Sequence, residues 1–332
     1  MLIPVGAAAP ERPPSDLVWI LGGQTMGTEW NVRAIAPPGA DRAALEAAVQ
    51  AELDAVVAIF SPWERPSEIS RFNNAPAGVW AVSSPFWSLL DAAMDIADET
   101  DGAVDPTLGA LVDLWGFGPP GPRPESGPAL PSDEEIEAAL QVSGWQKLRL
   151  NREARGVMQM GGMRLDFSGI AKGHAVDRVS ALLTGNGATS HLVEIGGELL
   201  GRGVKPDGQP WWVEIEQPPE RPGPRTVAAL FDLAVATSGD YRRAFEFDGR
   251  LYPHTIDGRT GRPVDNGLTS VTVFHASAMK ADAYATALTV MGPFEGPNFA
   301  EDVGLAVLFV ERTPRGLVER MSPAFAAMLD EG

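Results

Sequence analysis

Residues 165–177 read LDFSGIAKGHAVD, and the way that stretch divides between strand, turn and helix decides how the chain folds. Leu165 to Phe167 begin like a buried strand, and Ser168-Gly169 break it. Ala175, Val176 and Val179 then set a helical period from about Ile170 to Leu183, stopped by Gly185. Such a junction presents free backbone N–H groups and the positive end of the helix dipole, which suits an anion such as a phosphate. Glycine lets backbone approach a ligand closely. Lys172, with no partner in the local sequence, works against the dipole in that first turn, and a bound anion would offset the cost. An ordinary connection with a solvated lysine reads equally well from these residues alone.

Toward the N-terminus, "LVWILGG" and "TMGTEWNVRA" read as two strands. Asp41 caps a helix with Leu45, Val49, Leu53, Val56 and Phe60 on one face. The prolines and polar residues of "SPWERPSEISRFNNAP" fit neither period and read as a loop. Ser84-Pro85 starts a helix carrying Phe86, Leu89, Leu90, Ala93 and Ala97, which ends near Asp101-Gly102. "GFGPPGPRPESGPALPS" is a Pro/Gly-rich surface segment, and Ser132 with Glu135 forms a capping box. Strands are expected at Val157–Met160 and Met163–Phe167.

Toward the C-terminus, "HLVEIGGELLGRG", "PWWVEIEQ" and "VAALFDLAVATSG" read as antiparallel strands, with "PPERPGPR" a second loop. A strand in "LTSVTVFH", a helix from Ala278 to Met291 stopped by Gly292-Pro293, and a strand in "GLAVLFVER" complete the chain. Helices dominate the first half and strands the second, so the fold class is α+β.

The 332 residues carry a net charge of −18, which argues against a general nucleic-acid binder. A phosphorylated ligand would therefore need a local device: backbone N–H groups, a few Lys or Arg side chains, or a cation held by carboxylates. No apolar run approaches the roughly 20 residues of a membrane span. The absence of cysteine excludes disulfides, thiolate metal sites and a cysteine nucleophile. Residues 1–16 lack a basic n-region and read as a flexible leader, with one domain over 17–332.

Asp282 and Thr286 lie four apart in "SAMKADAYATALTVMG", so they share a helical face one turn apart. Their hard oxygens suit Mg²⁺, which takes few protein ligands beside phosphate and water. A solvated aspartate and a threonine bonding back to its own helix is the alternative. His254, at a strand end in "YPHTIDGRTGRPVDNG", can accept a hydroxyl proton near neutral pH or serve as a backbone-bonded structural residue. Asp257 and Asp265 read as turn residues. Asp105-Pro106-Thr107 looks like a cap, with Trp115 and Phe117 in the core or stacked on a planar ring. The glycine pair of "IGGELLGRG" reads as a bulge more readily than a ligand site. There is no nucleophile elbow, Rossmann or Walker pattern, and the four histidines are not spaced for zinc.

"TMGTEW", "SEISRFN", "GAVDPTLGALVDLWGFG", "LDFSGIAKGHAVD", "IGGELLGRG", "AVATSGDYRR", "HTIDGRTGRPV" and "SAMKADAYATAL" occur in that order. In wording and order they closely resemble the ApbE-type FAD:protein FMN transferases, from about Thr25 to Met291. The resemblance implies a single compact α+β unit of antiparallel sheets flanked by helices, with FAD between two halves. It implies transfer of FMN from FAD to a threonine or serine hydroxyl of an acceptor flavoprotein, with release of AMP. It also implies Mg²⁺, or Mn²⁺, held by the Gly169 carbonyl and the side chains of Asp282 and Thr286. FAD would be contacted by Met26, Trp63, Ala103, Val104, Asp105, Asp166, Lys172 and Ile256. Of the catalytic pair it implies, His254 would assist the acceptor hydroxyl and Lys172 would reach flavin phosphate or ribityl oxygens. Trp63 stands where the family often has tyrosine, keeping a stacking face without the hydroxyl, and Gly258 replaces the usual proline of that turn. The implied compartment is the periplasm, and the implied acceptors are subunits of membrane redox complexes. With water as acceptor, the same site would make a Mg²⁺-dependent FAD pyrophosphatase; without turnover, a FAD-binding protein.

Overall fold

The computed structural model describes residues 2, 13, 15–123, 130–219 and 226–329. The strand Val18–Thr25 turns at Met26-Gly27 (φ 48° and 74°) into the strand Thr28–Ile35, a tight hairpin in which both turn residues are left-handed. Helix α1 (Arg42–Phe60) follows, capped by the Asp41 carboxylate, and buries the five residues its period predicts. The stretch expected to be only a loop after Phe60 contains a helix, α2 (Glu68–Asn73). Its prolines all lie outside the helix, before the Ser67 cap or beyond Asn73, and Ile69 and Phe72 bury one face three residues apart.

Helix α3 (Ser84–Glu99) is capped by Ser83 with Pro85 in its first turn. Next come α4 (Gly109–Leu114) and α5 (Asp133–Gln141), the latter with the predicted capping box. Of the Pro/Gly-rich segment between them, residues 124–129 lie outside the described residues. So do residues 220–225 of the second predicted loop, and residues 1, 3–12 and 14 of the leader. Leu2 is held: its N–H donates to Val227 O, its carbonyl accepts from Ala229 N–H, and its side chain is fully buried.

The strand expected at Met163–Phe167 forms no ladder; Arg164 makes a single bridge to Leu108. The Asn73 side chain takes the place of a partner strand. Its Oδ1 accepts from Leu165 N–H at 2.7 Å and its Nδ2 donates to Leu165 O at 2.8 Å. Helix α6 (Ala171–Gly185) then begins where the opening stretch predicts.

One eight-stranded sheet organises the molecule. Its strands are Val18–Thr25, Thr28–Ile35, His191–Ile195, Glu198–Arg202, Leu233–Gly239, Leu268–His275, Ala306–Thr313 and Gly316–Met321, adjacent in that order and all antiparallel. The last strand had no sequence signal: its period carries Leu317, Val318 and charged residues on a mostly exposed edge. Helix α7 (Ala278–Asp302) breaks at Gly292 (φ 78°), as predicted, but Pro293 begins a second helical run instead of ending the element.

Helices α1, α6 and α7 cover one sheet face in the main core, with Val32, Val193, Ala236, Val271 and Val273 inward. Phe274, Leu308, Val310 and Val235 point to the other face. There they meet Trp211 and Leu230 of a small hairpin, and Phe325. A satellite cluster of Leu108, Leu111, Trp115, Phe117, Ile136 and Ile256 stands apart. The cleft described next opens between that satellite and the helix-covered side of the sheet.

Candidate active site

The N-terminus of α6 has no side-chain cap of its own, because Ile170 occupies the cap position. Asp282 of α7 supplies one from outside, its Oδ2 accepting the Gly173 N–H at 2.9 Å. One of the N–H groups of this turn thus already serves a protein carboxylate. Asp282 is buried, and burial holds its carboxyl above the usual range, opposed by Lys172 and the Gly173 N–H. Gly173 makes this approach possible: a Cβ there would stand 2.2 Å from Ala278 O and 2.8 Å from Asp282 Cβ. Asp177, closing the same stretch, accepts from Ser277 Oγ and from the N–H groups of Ala278 and Met279, tying the start of α7 to α6.

One turn beyond Asp282, Thr286 faces Gly169, where a Cβ would sit 3.0 Å from Thr286 Oγ1. Ser238 Oγ lies 3.5 Å from that hydroxyl. Among the described residues no three His, Cys, Asp or Glu side chains cluster to hold a metal ion. A cation here would use one carboxylate, a hydroxyl, backbone and ligand oxygens. That hard-oxygen set, with the buried Asp282 and the corner kept open by Gly169, fits Mg²⁺.

Lys172 is not unpartnered. Its Nζ donates to Glu198 Oε1 at 2.5 Å, and the Glu198 side chain is only 1% exposed. Burial pushes the Glu198 carboxyl up, Lys172 pulls it down, and Asp282 pushes it up again. Glu198 Oε2 finds no partner among the described residues.

The opposite wall comes from two clipped segments. Asp166 N–H donates to Pro106 O at 2.9 Å, joining the turn at 105–107 to the one at 166–168. Asp105 accepts from Thr107 N–H and Oγ1 and from Trp145 N–H, so the predicted cap is an Asx turn whose carboxylate is spent inside the protein. Asp166 Oδ1 accepts from Ser168 N–H. Ala103, Val104, Phe117 and Ile256 give this wall an apolar surface.

His254 ends the hairpin Ala244–Phe247/Arg250–Pro253, its Nδ1 3.0 Å from Arg243 O. It is half-buried by surface, yet protein atoms crowd it closely. That desolvation, with Arg243, Lys172 and Arg242 nearby, pushes its imidazole down to about 4 despite the opposing Arg243 carbonyl bond. It is therefore a neutral base at pH 7.

One cleft thus gathers Ala103, Val104, Asp105, Asp166, Gly169, Lys172, His254, Ile256, Asp282 and Thr286. Two expected residues do not line it. Met26 sits in the first hairpin's turn, and Trp63 lies 52% exposed at 5.9 Å from the Arg243 guanidinium. A wider hollow on the other sheet face, beside Trp212 and Glu214, contains none of these ten. Sequence reasoning missed Glu198, Ser238, Arg242 and Arg243, which also line the cleft. A glutamate directly after a glycine pair and paired arginines after "ATSGD" were the available signals.

The ApbE family model matches residues 26–309. A Vibrio cholerae protein named FAD:protein FMN transferase is 39% identical over 316 residues, covering 94% of this chain and 92% of the relative. A Klebsiella pneumoniae protein of the same name is 36% identical over 330 residues, 97% of this chain and 93% of its own length. Among solved structures, a Pseudomonas stutzeri flavinyl transferase ApbE in apo form superposes with a TM-score of 0.87 at 37% identity, covering 96% of this chain and 98% of that one. With matches of this extent in sequence and in fold, the chain belongs to the ApbE family.

Proposed function

We propose that this protein transfers the FMN moiety of FAD to a serine or threonine hydroxyl of an acceptor flavoprotein and releases AMP. The observation that carries this reading is the meeting of His254, Lys172 and the α7 pair Asp282 and Thr286, from three segments distant in sequence, in one cleft of an ApbE-family chain. In the reaction the acceptor oxygen bonds to the FMN phosphorus and the bridging P–O bond of the diphosphate breaks. AMP leaves with that bridging oxygen, and the hydroxyl proton passes to the neutral imidazole of His254. Such a displacement needs positioning, charge neutralisation and a proton route more than covalent chemistry.

Asp282, Thr286 and the Gly169 carbonyl would hold Mg²⁺, which when bound supplies charge neutralisation at the diphosphate. Lys172 adds a fixed positive charge beside it. The apolar wall of Val104, Phe117 and Ile256 shields the reacting phosphate from water and offers a surface to the flavin. Trp63, 5.9 Å from the Arg243 guanidinium, and Met26 of the first hairpin's turn would contact the flavin from outside the cleft lining. The acceptor we assign to a subunit of a membrane redox complex, and the compartment to the periplasm.

The test uses the purified chain, FAD, Mg²⁺ and an acceptor domain carrying the motif Asp-x-x-Ser-Gly-Ala-Thr, with the intact mass of the acceptor recorded. A gain of one FMN, lost with chelator and in Asp282→Ala, is the expected result. AMP and FMN release without a mass gain would replace the transferase reading with a pyrophosphatase.

A further inference from the structure

The glycine pair of "IGGELLG" builds something the function above does not use. Gly196 and Gly197 both have left-handed φ (57° and 96°), and a Cβ on Gly197 would stand 2.5 Å from Arg242 Nη2. The pair is a socket for a guanidinium. Arg242 Nη1 donates to Gly196 O at 2.9 Å, while Nε and Nη2 bind both oxygens of Glu216 in a fork. Three of the five donors are thereby spent on fixing the group, two make no bond among the described residues, and Arg242 is one of the residues that line the cleft.

Glu198 explains the spacing. Its Oε1 accepts from Lys172 at 2.5 Å and lies 3.8 Å from Arg242 Nη1. Two cations would otherwise repel across a low-dielectric pocket. A buried carboxylate between them holds both near one point, and neither uses all its donors on it. Surface arginine pairs contribute little to stability, but this side chain is only 22% exposed and is held by Glu216 and by the Gly196 carbonyl. That arrangement pre-orders a cation for an anionic ligand before it arrives.

We propose that Arg242 is a second anion-binding residue of the cleft, acting with Lys172 across Glu198 to hold the diphosphate of the flavin nucleotide. This rests on the flavin-nucleotide reading of the site. Glu216 and the Gly196-Gly197 turn are the positioning parts.

Binding of FAD and of riboflavin, which has no phosphate, would be compared by flavin fluorescence, with EDTA present so that nothing is cleaved. Arg242→Gln is expected to weaken FAD roughly 10- to 100-fold, the range for a hydrogen bond to a charged group, and to leave riboflavin unchanged. Arg242→Lys recovers part of the loss. Equal weakening of both flavins, or of neither, overturns the proposal, since a purely structural arginine would not separate them. Should Arg242→Gln fail to fold, Glu216→Gln keeps the guanidinium and frees it. A smaller loss for FAD alone is then expected, and an unchanged FAD affinity overturns the proposal. A wild-type chain that binds neither flavin refutes the functional reading itself, and this inference with it.

Discussion

A single imidazole shows how much of the chemistry depends on surroundings. His254 in water would be half protonated at pH 6.5, but crowding and three neighbouring cations lower its pKa to about 4 and keep it mostly neutral above that. A general base works only when deprotonated, so lowering its pKa extends the active range toward acid. The acid limb of kcat/KM for FAD is therefore expected well below pH 6.5, and a pH–rate profile with a limb centred near 6.5 would contradict the assignment. His254→Asn keeps a comparable polar side chain and removes the base. It should lower kcat by about 10²- to 10⁴-fold with little change in the KM for FAD. The residue was visible in "YPHTIDGRTG"; its protonation state was not, because Arg242, Arg243 and Lys172 reach it only through the fold.

At the scale of elements, the site depends on how closely α6 approaches α7. Gly173 permits contact with Ala278 O, Asp282 caps α6 from across the gap, and Asp177 caps α7 in return. Gly173→Ala places a methyl 2.2 Å from a carbonyl oxygen, and backbone cannot yield there as a flexible side chain would. Overpacking of this kind costs about 1–3 kcal/mol, to be read from urea unfolding. Because the displaced element carries Asp282 and Thr286, Mn²⁺ affinity by calorimetry should fall in the same variant. A wild-type metal affinity in a destabilised Gly173→Ala protein would separate the helix contact from the site. The handover at 165–177 was legible as strand, turn and helix start. What no local pattern could show was that the first segment is held by Asn73, from a stretch whose prolines suggest only a loop.

The whole molecule carries a pH signature from its buried histidines. His191 is fully buried, bonded to Ser180 Oγ at 2.8 Å and Ala188 O at 2.7 Å, and burial pushes its imidazole down to about 4. Its folded pKa lies below the unfolded value near 6.5, so the unfolded chain binds the extra proton between those limits. Stability from this group is full above pH 6.5 and is lost as pH falls toward 4, on the order of 3 kcal/mol. Glu198, pushed the other way, works with opposite sign, so a variant comparison isolates the histidine. The stability gap between wild type and His191→Gln, from urea unfolding at pH 7 and pH 4.5, should narrow at the lower pH. A gap that stays constant would show that His191 does not titrate this way.

Alone, the sequence determined the element types with strong periods: α1, α3, α6, the first run of α7 and the hydrophobic strands of the sheet. These follow from spacings of 2 and 3.6 residues and from caps, which are local. It also determined which residues could bind a hard cation or accept a proton, since donor chemistry belongs to the side chain. Tertiary structure decided that Lys172 is paired with Glu198, that Asp282 caps a helix 109 residues away in sequence, and that Met26 and Trp63 stand off the cleft. It also placed Arg242 in its glycine socket. Those outcomes depend on contacts between segments far apart along the chain, whose energies exist only once burial has removed water from between them.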